Sequence, residues 1–128
     1  MRRGEVYDAR LDPTEGSERR GSRPVVIVSR NAINAASSAV VAVPFTTHRP
    51  ERRLYPSHTL VHAPDGGLEV DSVALCEQVR AMAKSRFLRR RGVLSAAAMR
   101  RIEAALVITL DLPLALLTLP RSRRRVPS

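Results

Sequence analysis

Apolar and polar positions alternate with a period of two through the first half of the chain, and the period lengthens near its end. Residues 5–11 set Tyr7, Ala9 and Leu11 on one face, which predicts a strand. Residues 12–22 are polar and carry Pro13, Gly16 and Gly21, so they read as a loop. Residues 24–28 form a β-branched run as expected of a strand buried on both faces, with Pro24 at the first position, where a strand tolerates proline. Residues 39–43 form a similar run, stopped by Pro44, and residues 46–56 read as a basic loop. Alternation returns over residues 57–63, and Pro64-Asp65-Gly66-Gly67 predicts a hairpin turn completed by residues 68–79.

The last third changes period. Ser95 is a good N-cap, and Met99, Ile102, Leu106 and Thr109 then recur at spacings of three and four, with Arg100, Arg101 and Glu103 off the stripe. Pro113 is expected to end that helix, and a shorter helical piece is expected around residues 84–91, closed by Gly92. Five or so short strands with a C-terminal helix make a mainly β domain. The expected architecture is a small half-open barrel with the helix across one side.

Composition narrows the classes. A chain of 128 residues has room for one domain, taken here as residues 1–112, with residues 113–128 a Pro- and Arg-rich tail expected to be disordered at its end. One cysteine, Cys76, allows neither an internal disulfide nor a Cys-based zinc site, and its apolar setting suggests a core residue. The longest apolar stretch, residues 106–119, contains Asp111 and Pro113 and is too short for a bilayer. With no secretory signal at the N-terminus, the expectation is a soluble cytoplasmic protein.

Charge supplies the first functional pointer. Lys+Arg number 22 against 12 Asp+Glu, a formal +10, and all but Lys84 are arginine. A guanidinium grips phosphate through two parallel N–H donors, so a polyanion is the first partner to consider. The tail's Arg121, Arg123, Arg124 and Arg125 hold part of that excess and imply only nonspecific, salt-sensitive attraction. Only Tyr7, Phe45, Tyr55 and Phe87 are aromatic, fewer than a generic single-strand binder stacking bases would carry.

One arginine has a special place. Arg23 stands at the mouth of the buried strand, directly after the Gly-flanked loop, where a fixed guanidinium could stabilise charge developing on a phosphodiester. An ordinary strand-edge arginine would show the same local pattern. Its neighbourhood decides more: Arg3-Gly4-Glu5-Val6-Tyr7, Leu11-Asp12-Pro13, Gly16-Ser17-Glu18 and Gly21-Ser22-Arg23-Pro24-Val25 follow in order. Further on come Val41-Ala42-Val43-Pro44-Phe45-Thr46 and Asp71-Ser72-Val73-Ala74-Leu75-Cys76-Glu77-Gln78-Val79-Arg80. This series, from Arg3 to about Leu110, resembles the MazF/PemK family of toxin endoribonucleases.

The resemblance implies an SH3-like barrel of the CcdB/PemK type that forms a homodimer and cuts single-stranded RNA at a short preferred sequence, without metal or other cofactor. It implies Arg23 as the key catalytic group and Thr46 as a hydroxyl orienting the scissile phosphate or the 2′-OH. Ser17, Glu18, Arg19 and Arg20 fall in the segment that resembles the substrate-gating loop, where Arg19 and Arg20 replace the commoner glutamine and glycine. Glu77 and Gln78 are expected to face the groove, although Glu77 could instead pair with Arg80 or a surface arginine. A slip of one residue would exchange Thr46 and Thr47. His48, beside Arg49, Arg52 and Arg53, is a candidate RNA contact.

His58 and His62 share a strand face by alternation, but no third ligand of suitable spacing accompanies them, so no metal site is expected. The implied partners are single-stranded RNA and a MazE-like antitoxin with an acidic segment filling the same groove. The alternatives are a noncatalytic nucleic-acid-binding barrel and a protein-poisoning toxin of the CcdB group. The last requires a Trp-Gly-Ile ending, whereas this chain has no Trp.

Overall fold

The computed structural model describes residues 1–11 and 22–113. The expected loop of residues 12–21, with Ser17, Glu18, Arg19 and Arg20, and the tail from residue 114 onward lie outside the described residues. Among the described residues, seven strands and two α-helices follow in the order β1 (Glu5–Ala9), β2 (Arg23–Ile27), α1 (Asn31–Ala36), β3 (Ala39–Thr47), β4 (His58–Val61), β5 (Ser72–Leu75), β6 (Arg80–Ala83), β7 (Phe87–Val93) and α2 (Ala96–Thr109). The strands pair antiparallel in the order β4-β5-β3-β2-β1-β7, with β6 also on β3. The sheet stays unclosed, as expected of a half-open barrel.

Strand β2 is buried on both faces, as its β-branched run requires: Val25, Val26 and Ile27 are wholly buried. Val26 belongs to the main core with Val6, Val43, Phe45 and Val61, onto which α2 lays Ala98, Met99, Ile102 and Ala105. Val25 belongs to a smaller cluster on the other face with Ala9, Ala42 and Met82, edged by Tyr7 and Phe87. Each such fully buried apolar side chain contributes about 1.5–3 kcal/mol relative to exposure. Helix α2 begins as its sequence predicts: the Ser95 hydroxyl oxygen accepts from the Ala98 N–H at 3.1 Å. Asp65 in turn accepts from the Ser95 N–H at 2.8 Å and from its hydroxyl at 2.7 Å, tying the helix start to the residue 62–71 connection.

Three local expectations are corrected. Pro44 does not stop β3, which runs through it to Thr47. Residues Ala39 to Ala42 pair with β6 and residues Phe45 to Thr47 with β5, so Pro44 falls at the changeover, where the ladder is already interrupted. Thr46 and Thr47 therefore sit on a strand rather than in a loop.

The helical piece at residues 84–91 reduces to one 3-10 turn, Lys84–Arg86, followed by strand β7. In this strand β1 supplies the arginines with carboxylates: Glu5 pairs with Arg90, and Asp8 with Arg89 and Arg91. These cross-strand ion pairs override local preference. Finally, Pro64-Asp65-Gly66-Gly67 is not a tight hairpin turn. Asp65–Gly67 is a 3-10 turn inside a longer connection, and only Ser72–Leu75 returns against β4.

Candidate active site

The site is built where β2 begins and β3 ends. Val26 lies across from Val43, and Val25 across from Pro44. The paired register ends there, and Arg23 and Thr46, each two residues farther along its strand, both line one cleft. Phe45, only 1% exposed, anchors the strand beneath, and Thr46 pairs on its other side with Val73 of β5. Arg23 and Thr46 open into a cleft of about 590 Å³, which Thr47, Arg49, Arg52, Leu68, Glu69, Val70 and Arg91 also line.

The electrostatics of the cleft are cationic. Among the described residues, no carboxylate pairs with Arg23, Arg49 or Arg52, and the Thr46 and Thr47 hydroxyls have no hydrogen-bond partner. Arg91 differs. Its Nε donates to Asp8, its Nη1 donates to the Gly67 carbonyl at 3.2 Å, and its Nη2 lies 3.9 Å from Glu69. The cleft thus offers three uncompensated guanidiniums and free hydroxyl groups, a set suited to a phosphodiester backbone.

The other expected residues divide. His48 stands beside the cleft: its N–H donates to the Asp71 carbonyl at 2.8 Å, while its buried Nδ1 has no partner. It borders a smaller apolar pocket of about 70 Å³ that shares Thr46, Thr47, Arg49 and Arg52 with the cleft. Glu77 and Gln78 are exposed on a 3-10 turn, Cys76–Gln78, and do not line the cleft. Glu77 faces a histidine rather than an arginine, its Oε2 lying 3.4 Å from His58 Nε2. Because His58 Nδ1 accepts the Tyr55 N–H at 3.1 Å, the neutral ring carries its proton on Nε2, toward Glu77.

His62 pairs instead with Asp71, at 3.1 Å. The Ala63 N–H and then the His62 hydrogen bond hold the Asp71 carboxyl below its ordinary value. The two histidines are thus separately engaged, and no cluster of His, Cys, Asp and Glu among the described residues could hold a metal ion. Burial, then the Glu77 charge, pushes the Cys76 thiol up to about 11, as befits a core residue. The sequence pattern does not point to Glu69 or Arg91. Neither carries a local signal, because the cross-strand partners and the fold of the residue 62–71 connection alone bring them to the cleft.

Residues 2–110 match the model of the PemK-like, MazF-like toxins of type II toxin–antitoxin systems. The chain belongs to that family. Among the relatives of this MazF-like chain, the endoribonuclease MazF9 of Mycobacterium tuberculosis is 39% identical over 117 residues, which cover 88% of this chain and 98% of the relative. The endoribonuclease MazF of Staphylococcus saprophyticus is 38% identical over 112 residues, covering 88% and 92%. A solved mycobacterial endoribonuclease in complex with its cognate antitoxin superposes with a TM-score of 0.73 at 30% identity, covering 88% of this chain and 97% of that one. No helix among the described residues is long and apolar enough to cross a membrane.

Proposed function

We propose that this MazF-family endoribonuclease toxin cuts single-stranded RNA by attack of a 2′-OH on the adjacent phosphorus, leaving 2′,3′-cyclic phosphate and 5′-OH ends. RNA carries its own nucleophile, so the protein has to align the 2′-oxygen with the leaving 5′-oxygen and neutralise the phosphorane. Arg23 grips the non-bridging oxygens and gains most as charge accumulates on them. Thr46 donates its hydroxyl proton to the same phosphate or holds the 2′-oxygen in line; a threonine is too weak a base to deprotonate it. The 2′-O–P bond forms as the P–O5′ bond breaks, water taking the 2′ proton and returning one to the 5′-oxygen.

Arg49, Arg52 and Thr47 extend the grip along the backbone, with His48 beside them. Ser17, Glu18, Arg19 and Arg20 are proposed to close over the RNA, and Glu77 and Gln78 to meet nucleotides farther along. Charge neutralisation rests on guanidiniums, so no metal is required. A MazE-like acidic antitoxin segment is proposed to occupy the same cationic cleft, since a surface shaped for a polyanion also attracts an acidic peptide. A homodimer and a cytoplasmic setting complete the proposal.

The observation that carries this reading is that Arg23 and Thr46 line one cleft with Arg49 and Arg52, three guanidiniums that no carboxylate pairs among the described residues. The test incubates single-stranded RNA with the protein in excess EDTA and identifies the fragment ends. Cyclic phosphate and 5′-OH ends are expected. Absence of cleavage under EDTA, or 5′-phosphate ends, would refute it.

A further inference from the structure

The cleft contains one feature that a phosphate site alone would not favour. Among the described residues lining it, Glu69 is the single carboxylate. A negative charge there repels the RNA backbone, yet the side chain is 77% exposed and its oxygens are available to a ligand. Its one near neighbour of opposite charge, Arg91, is already held by Asp8 and the Gly67 carbonyl. Glu69 thus makes only a long ion pair, at 3.9 Å, which leaves its oxygens free to accept from a ligand.

The backbone that carries Glu69 is fixed on both sides. Leu68, 2% exposed, is locked in the core, and its N–H donates to the Asp65 carbonyl at 3.2 Å. On the other side, the Ser72 hydroxyl donates to the Val70 carbonyl at 2.9 Å. A polar group that projects into a site from a rigid element is placed to discriminate between ligands. A carboxylate only accepts hydrogen bonds. In a single strand the bases turn their Watson–Crick edges outward. Adenine, cytosine and guanine each present an exocyclic amino donor on that edge, whereas uracil presents one N–H between two carbonyl acceptors that would oppose a carboxylate.

We propose that Glu69 is a specificity-determining residue that accepts a hydrogen bond from the exocyclic amino group of a base flanking the clamped phosphate and so rejects uracil at that position. The proposal rests on the reading of the cleft as an RNA site. Discrimination of about ten- to a hundredfold against uracil is expected at that one position.

The test uses two randomised single-stranded pools with wild-type protein and Glu69→Gln. Ribose RNA is sequenced at its newly cut ends, and 2′-fluoro RNA, which lacks the nucleophile, is sequenced after retention by the protein. Glutamine keeps the size but presents a donor beside its acceptor, so it can pair with uracil as well as with amino-bearing bases. Uracil depletion at one fixed position, in cut and retained pools alike, is expected with wild type and is expected to vanish in Glu69→Gln. No depletion, or equal depletion in the variant, overturns the proposal. Glu69-dependent retention of 2′-fluoro RNA by a protein that cuts nothing would support it while refuting the cleavage reaction.

Discussion

Gly67 joins the fold to the cleft and gives the most quantitative expectation. It has φ +75°, and a Cβ added there would lie 2.3 Å from the Arg91 carbonyl oxygen and 2.7 Å from its carbon. Those atoms belong to β7, so they cannot rotate aside as a flexible side chain would. Gly4 is the matched control: its φ is +91°, but the nearest atoms to an added Cβ are 3.8 Å away, an ordinary contact. Gly4→Ala therefore isolates the left-handed backbone cost, about 1–2 kcal/mol. Gly67→Ala carries a similar cost plus about 1–3 kcal/mol of overpacking, about 2–5 kcal/mol in all. The Gly67 carbonyl also accepts from Arg91, and the next three residues form the cleft wall, so RNA cleavage should fall together with stability. Urea unfolding at constant m-value measures both variants. If Gly67→Ala cost no more than Gly4→Ala, the tight approach of this connection to β7 would be wrong.

Thr46→Val should lower kcat by about a hundred- to a thousandfold, as loss of one donor to a developing charge does, while Thr47→Val should chiefly raise KM; steady-state kinetics on a short RNA separates them. Burial of Glu5 favours its neutral form, but the Arg90 hydrogen bond, the Arg2 N–H and the Arg90 charge outweigh burial and lower its pKa below its ordinary 4.5. A depressed folded-state value means stability that is present above about pH 4.5 and lost as pH falls through the folded pKa. Urea midpoints of wild type and Glu5→Gln should therefore differ above about pH 4.5 and converge as the pH falls below it. With its thiol near 11, Cys76 should resist alkylation at pH 8 in the folded protein, with about one thiolate in a thousand, and react promptly in urea.

What could be read from the sequence was local. The run at Val25 to Ile27 and the Ser95 cap with its Met99–Ile102 stripe carry their structure in their own spacing. Thr46 was recognised as a candidate while its strand was not, because proline is a stop signal only where a ladder bond is needed, and Pro44 sits between two partners. Phe87–Val93 misled for a different reason: its three arginines become a strand through Glu5 and Asp8, more than 80 residues earlier in the chain. The same distance in sequence hid Arg91 from the cleft. Glu69 was invisible because nothing in Gly67-Leu68-Glu69-Val70 shows which wall it forms.

The cationic excess of the chain also takes on a shape. Arg3, Arg89, Arg90 and Arg91 are matched to carboxylates, whereas Arg23, Arg49 and Arg52 face the cleft without one among the described residues. Arg23 shares the cleft with Thr46, and on it the proposed chemistry depends. The most direct measurement is kcat/KM for a single-stranded RNA in excess EDTA, with wild type, Arg23→Ala and Arg23→Lys, each confirmed folded by its urea midpoint. The expected result is metal-independent cleavage by wild type and a loss of at least about a hundredfold in Arg23→Ala, with Arg23→Lys between them because an ammonium keeps the charge but not the two-pronged grip. Undiminished cleavage by Arg23→Ala would contradict the assignment of the reaction to this cleft.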